Sequence, residues 1–298
     1  MIYGLPEEEY FASGHRACAG CGSALAVRIA LKAAGKNTVV LQATGCMEVV
    51  STPYPQTAWK LAYLHGAFEN AAAIASGVES AFKKIGKKAN ILVLAGDGGT
   101  FDIGLQALSG AFERGHKICY VCTENAAYMN TGIQRSGATP KYAATTTSPA
   151  GKKIHGNQTW KKPMPFIVAA HRAKYVATAS VADVLDIYRK VQKALQNTPS
   201  YVQIFCPCPV GWRFDSSKTI KVAKLALESR VSPLYEIENG ILRITHMIDK
   251  PIKVEEYLKM QGRFKHLQPN EIKEIQSHVD KQWDFLLKLH KSKVRLYS

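Results

Sequence analysis

Short, nearly continuous apolar runs recur along the chain and alternate with longer stretches whose apolar residues fall three and four apart. "TVVLQATGC" (38–46), "NILVLAGDG" (90–98), "KICYVCTEN" (117–125), "KYVATAS" (174–180) and "YVQIFCPC" (201–208) read as buried strands. Helical spacing fills the alanine- and leucine-rich stretch after Cys21 and the segments 67–86, 102–115 and 181–196; Gly115 closes the third. Strands that lack in–out alternation and are joined by helices must be buried on both faces. The pattern therefore predicts an α/β fold with a doubly wound parallel sheet.

Two segments break this rhythm. Residues 126–165 show no convincing element, and a loop of that length in a compact domain is functional or mobile. Beyond Gly211, "IENGIL" (237–242) predicts a hairpin at Asn-Gly, and a long amphipathic helix starts near Pro269. We expect residues 1–210 to form the main domain and 211–298 a C-terminal extension packed on it or on partner subunits.

Composition narrows the class. With 46% hydrophobic and 21% charged residues, the 298-residue chain is ordinary for a globular protein. The start "MIYGLPEEEYF" is acidic where a signal peptide is basic, and the longest apolar runs are too short to span a bilayer. A cytoplasmic protein without membrane association is expected. Its seven cysteines would there be reduced and free to act as ligands. A net charge of +16 favours an acidic partner. The lysines are scattered in doublets without a nucleic-acid module, so nucleic acid is not the expected one.

Ligands of doubly wound sheets bind at the carboxyl ends of the strands. Cys46, Asp97, Asn125 and Cys208 all follow predicted strands and should share that edge. Asp97 lies among Gly96, Gly98 and Gly99, which admit close backbone approach, and its carboxylate suits a divalent cation bridging to phosphate. Asn125 can offer a neutral oxygen to the same ion. Neither a G-x-G-x-x-G fingerprint nor a Walker loop is present. Cys18 and Cys21 form C-x₂-C, followed by Cys46 and a remote fourth cysteine, a spacing that suits a [4Fe–4S] cluster. Zinc is the rival, weakened because its ligands usually come in two close pairs. Cys206 and Cys208 compete for the fourth place; Cys119 and Cys122 read as core thiols.

"GDG" with an Asn one strand later resembles the thiamin diphosphate motif. That resemblance implies Mg²⁺ on Asp97, Asn125 and the carbonyl of Ala127. The motif often ends Asn-Asn, whereas this chain has Glu124-Asn125. "GHRACAGCG" (14–22), "ATGCMEVVSTPYP" (43–55), "GDGGTFDIGLQALSGAFERGHKI" (96–118), "AYMNTGIQRSGATP" (127–140), "CPVGWRF" (208–214) and "MQGRFKHL" (260–267) together resemble the beta subunits of the pyruvate:ferredoxin oxidoreductase family. The likeness runs from about residue 14 to 267.

The resemblance implies the thiamin diphosphate-binding fold, with thiamin diphosphate, Mg²⁺ and a [4Fe–4S] cluster as cofactors. It favours Cys208 as fourth cluster ligand and places Asn130 and Thr131 in a loop over the thiazolium. His65 is read either as approaching the diphosphate or as a core histidine. Asp102 is read as a helix cap, and Glu48 and Glu69 as structural. The implied reaction is coenzyme A-dependent oxidative decarboxylation of pyruvate with electrons passed to ferredoxin. An alpha subunit would supply the activating glutamate, and gamma and delta subunits would complete the complex. A branched-chain 2-oxoacid:ferredoxin oxidoreductase is the alternative; a non-redox thiamin enzyme or a basic iron–sulfur protein binding nucleic acid fits less well.

Overall fold

The computed structural model describes residues 4–297. Its strands are β1 (Thr38–Ala43), β2 (Ala62–Gly66), β3 (Asn90–Gly96), β4 (Cys119–Glu124), β5 (Tyr175–Ser180), β6 (Ser200–Phe205), β7 (Tyr235–Glu238) and β8 (Ile241–Ile244). They form one sheet in the order β2-β1-β3-β4-β6-β5-β7-β8. The first six are parallel, and the hairpin β7–β8 adds to β5 as an antiparallel edge. The Asn239-Gly240 turn has φ values of 48° and 82°, the left-handed pair that a two-residue hairpin demands.

The helices are α1 (Gly22–Ala34), α2 (Cys46–Val49), α3 (Ala71–Lys84), α4 (Leu105–Glu113), α5 (Met164–Ala170), α6 (Val184–Gln196), α7 (Pro209–Trp212), α8 (Thr219–Glu228), α9 (Val254–Lys259) and α10 (Pro269–Ser292). Successive strand residues point to opposite faces, so both faces must be covered. Val40, Leu92, Val121 and Val202 pack with α1 and α6. Leu41, Val93, Tyr120 and Tyr201 pack with α3, α4, α5 and α10 on the other face. This two-sided burial is why the inner strands read as continuous apolar runs. A third core joins Phe205 and Trp212 to α8, α9 and α10. Among the described residues, no helix is long and apolar enough to cross a membrane.

Three elements depart from the sequence reading. Strand β2, absent from the sequence reading, is an exposed edge with Leu64 at 45% exposure and only the short apolar run 61–64 to mark it. Helix α5, only seven residues long with Pro163 as its N-cap and Pro165 in its first turn, begins where the stretch read as irregular (126–165) ends. The helix expected from 102 is preceded by a π-helical turn over Gly98–Asp102 and resumes as α4 at Leu105. That junction needs Gly104, where a Cβ would come within 2.0 Å of the Gly99 carbonyl oxygen.

The chain runs from β1 outwards to β2, then returns to place β3 on the other side of β1. The reversal opens a crevice at the carboxyl ends of β1 and β3, where doubly wound sheets bind ligands.

Candidate active site

Asp97 follows β3 at the floor of this crevice and is 1% exposed. Its Oδ1 accepts the backbone N–H of Asn125 (3.0 Å), and its Oδ2 accepts the hydroxyl of Ser136 (2.5 Å). Burial pushes its carboxyl up to about 7, although both hydrogen bonds pull the other way. Among the described residues, no lysine or arginine pairs with it. A desolvated carboxylate of this kind lacks a cation.

Two further oxygens that could ligate such a cation lie close by. One terminal atom of the Asn125 side-chain amide lies 3.0 Å from Asp97 Oδ1 and 2.9 Å from the carbonyl oxygen of Ala127. With nitrogen there, the amide donates to both. With oxygen there, three acceptors converge on one point. Bonds of 2.0–2.1 Å in an octahedron separate neighbouring oxygens by about 2.9–3.0 Å, so the spacing fits Mg²⁺. Ala126 supports the turn that presents this carbonyl: its φ of 66° is a left-handed conformation that alanine adopts only at a cost of about 1–2 kcal/mol. The Thr139 hydroxyl holds the turn by donating to the Ala126 carbonyl (2.9 Å).

The glycines after β3 leave room for the opposite wall. A Cβ on Gly98 would lie 2.4 Å from the Tyr128 ring, and one on Gly99 would lie 3.1 Å from the Phe68 carbonyl oxygen. We expect Gly98→Ala to displace Tyr128 at a cost of about 1–3 kcal/mol. Thiamin diphosphate affinity should fall about tenfold or more with iron content unchanged, as checked by calorimetric titration. Unaltered affinity would show that the close packing is dispensable.

Asp102 does not cap α4, contrary to expectation, because the π-turn carries it away from the helix start. Its Oδ2 accepts the N–H of Gly137 (2.8 Å) and the Tyr128 hydroxyl (3.3 Å), while Oδ1 pairs with Lys162 Nζ (2.7 Å). The carboxylate thereby staples the long loop to the glycine turn. Asn130 and Thr131 are exposed on that loop and line the same cleft as Gly96, Asp97, Gly98, Asn125, Ala127 and Cys46. Gly99 lies in the turn behind the cleft.

His65, the penultimate residue of β2, is exposed, so the core reading is corrected: on this edge strand its side chain faces outward. Its Nε2 lies 2.7 Å from Thr44 Oγ1, and Thr44 lines the cleft. Glu48 Oε2 is 4.0 Å from that nitrogen, whereas Glu69 is exposed.

Cys46 lines the cleft, and Cys208, Cys21 and Cys18 lie near enough to act on its charge. Cys18 is exposed and the other three are partly buried. Cys21 is the N-cap residue of α1, where burial raises its thiol pKa and the amides of Ser23 and Ala24 oppose the rise. Burial also pushes the Cys46 thiol up to about 12, with the like charges of Cys208, Cys21 and Cys18 adding to it. Cys208 caps α7, and its Sγ accepts the N–H of Gly211 (3.4 Å). Cys206 is fully buried and donates to the Ile204 carbonyl (3.2 Å). Cys119 and Cys122 are buried within β4. Among the described residues, no three His, Cys, Asp or Glu side chains sit close enough for a single metal ion. Tetrahedral zinc with bonds of about 2.3 Å would require sulfurs about 3.8 Å apart. A cubane, in which each thiolate meets a different iron, tolerates the wider spread.

The fold and cleft define a domain of the thiamin diphosphate-binding class, and residues 42–204 match the family described as "Thiamine pyrophosphate enzyme, C-terminal TPP binding domain". Pyruvate synthase subunit PorB of Methanocaldococcus jannaschii is 52% identical over 295 residues, covering 96% of this chain and 99% of that protein. PorB of Methanothermobacter thermautotrophicus is 54% identical over 278 residues, covering 93% and 96%. Ketoisovalerate oxidoreductase subunit VorB of Pyrococcus abyssi is 46% identical over 294 residues, covering 96% and 94%. The chain therefore belongs to the 2-oxoacid:ferredoxin oxidoreductase family, as a subunit of the PorB type. A solved 2-oxoglutarate:ferredoxin oxidoreductase from Magnetococcus marinus shares the fold at 19% identity, with a TM-score of 0.59 over 74% of this chain and 82% of that one.

Ser136, 39 positions from Asp97, escaped the sequence reading, as did Trp212, whose Nε1 donates to the Asn125 carbonyl (2.7 Å). Both stand in family-like stretches, "IQRSGATP" and "CPVGWRF", which were the available signal.

Proposed function

We propose that this chain is the cofactor-bearing subunit of a pyruvate:ferredoxin oxidoreductase, oxidising pyruvate and coenzyme A to acetyl-CoA and CO₂ with electrons passed to ferredoxin. The observation that carries the reading is the convergence of Asp97, Asn125 and Ala127 oxygens in a cleft that Cys46 also lines, with Cys208, Cys21 and Cys18 near enough to act on the Cys46 charge. Asp97, Asn125 and the Ala127 carbonyl would hold Mg²⁺, with the glycine backbone at 96–99 admitting the diphosphate. Cys18, Cys21, Cys46 and Cys208 would hold a [4Fe–4S] cluster. Thiamin diphosphate, held there, would supply a carbon nucleophile and an electron sink for decarboxylation.

The chain's own residues then bind and orient. Asn130 offers an amide donor at the cleft mouth to the substrate's developing oxyanion, and Thr131, hydrogen-bonded to Gln134 Oε1 (2.6 Å), shapes the same rim. His65, hydrogen-bonded to Thr44 at the cleft wall, would approach the diphosphate. Thiolate ligation suits the reducing cytoplasm, and a net charge of +16 suits an acidic ferredoxin. The 46% identity to a ketoisovalerate oxidoreductase subunit favours a branched-chain 2-oxoacid as second reading. Comparing pyruvate with 2-ketoisovalerate as substrates of the assembled enzyme decides between them.

No glutamate lines the cleft among the described residues. Activation of the aminopyrimidine would thus fall to a glutamate of an alpha subunit, with gamma and delta subunits completing the assembly. The isolated, cluster-loaded chain should release no CO₂ from pyruvate and reduce no viologen dye, and adding the alpha subunit should restore both. Sustained coenzyme A-dependent dye reduction by the chain alone would transfer the activating role to Glu48 or Glu69.

A further inference from the structure

The stretch "MQGRFKHL" (260–267) lies outside the cofactor cleft, yet its Arg263 is 2% exposed. The guanidinium stacks on the Trp212 ring, 3.8 Å from the centroid, and lies 5.0 Å from that of Phe264. Its Nε donates to Gln261 Oε1 (2.9 Å), while Nη2 and the neighbouring Tyr257 hydroxyl lack partners in hydrogen-bond geometry. No carboxylate forms an ion pair with it among the described residues. Glu124, whose charge it feels, is taken up by Lys161 Nζ (2.5 Å) and Gln203 Nε2 (2.6 Å).

An arginine cannot shed its proton to escape this position. Burying an unpaired cation costs more than stacking on one indole returns, so a counter-charge is required. One is at hand: Trp212 closes the single turn α7, and the sulfur of its N-cap Cys208 lies 3.4 Å from the N–H of Gly211, the residue before Trp212. The guanidinium is within electrostatic reach of that thiol.

We propose that Arg263, held by the Trp212 stack and Gln261, is the charge partner of the cluster at Cys208 and raises its reduction potential. The inference rests on the cluster ligation proposed above. Reduction adds one electron, and so one negative charge, to the cluster without making or breaking a bond at Arg263; the electron comes from the oxidised substrate. A fixed cation beside the cluster favours the more negative, reduced form.

The test uses the assembled oxidoreductase, with iron analysis and a dithionite titration followed by electron paramagnetic resonance on the signal that Cys208→Ser removes or alters. Arg263→Gln should lower the midpoint potential by at least about 59 mV, a tenfold change in a one-electron equilibrium. Arg263→Lys, which keeps the charge, should stay within about half that shift. Gln261→Glu provides a second route, since it sets a carboxylate on Nε and neutralises the guanidinium in place; the potential should again fall. A wild-type potential in iron-replete Arg263→Gln, or in Gln261→Glu should the first variant fail to assemble, overturns the proposal. Absence of the signal and of this chain's iron in the wild type would instead remove the cluster itself.

Discussion

Asp97→Asn should weaken Mg²⁺-dependent thiamin diphosphate binding by more than about 100-fold while making the cofactor-free protein more heat-stable above pH 7. Losing even an outer-shell partner of a metal ligand costs 10–100-fold in affinity, and Asp97 would be the one charged ligand this chain offers the ion. The gain in stability follows from burial. The ordinary carboxyl value of 3.8 rises to about 7 in the folded protein. Between those values the folded state binds the proton more tightly than the unfolded state, so rising pH removes stability across the window, and the penalty is complete above about 7. An asparagine carries no charge to desolvate. It retains an oxygen for the Asn125 N–H and can donate to Ser136 Oγ in place of the present bond.

The same linkage makes Mg²⁺ uptake release a proton, so apparent affinity should tighten as pH rises and level off above about 7. Calorimetric titration and thermal unfolding at pH 6 and 8 check both halves. Wild-type affinity in Asp97→Asn would remove Asp97 from the site.

Single replacement of Cys18, Cys21, Cys46 or Cys208 by serine should abolish or alter the signal of the [4Fe–4S] cluster proposed for them and lower iron content. A hydroxyl is a hard, weakly acidic donor where iron–sulfur chemistry needs a thiolate. Cys206→Ser, Cys119→Ser and Cys122→Ser should keep the cluster. Their thiols are enclosed in the core, and serine there costs about 1–3 kcal/mol of stability through its buried hydroxyl. Iron assay and electron paramagnetic resonance on the assembled enzyme distinguish the two groups. Loss of the cluster in Cys206→Ser but not in Cys208→Ser would exchange the fourth ligand.

The inner strands β1, β3, β4, β5 and β6 were legible in the chain because burial on both faces turns them into unbroken apolar runs. Asp97, Asn125, Cys46 and Cys208 were legible as candidates for the same reason: polar residues directly after such strands must emerge at one edge of a parallel sheet. The hairpin at Asn239-Gly240 declared itself because Asn-Gly is among the few pairs that readily take two left-handed conformations in succession. Edge strand β2 did not, since its apolar run 61–64 is short and most of its residues stay exposed.

What closes the site was likewise invisible. Ser136 meets Asp97 across 39 positions, Trp212 meets the Asn125 carbonyl across 87, and Arg263 reaches Trp212 from the C-terminal region. Asp102 could not be told from a helix cap until the π-turn carried it to Gly137 and Lys162. Periodicity records which side of an element is buried, a property of neighbours three or four residues apart. Which distant hydroxyl, indole or guanidinium satisfies a buried polar group is decided only when the sheet and its loops pack, because desolvation, and with it the need for that partner, arises only on burial.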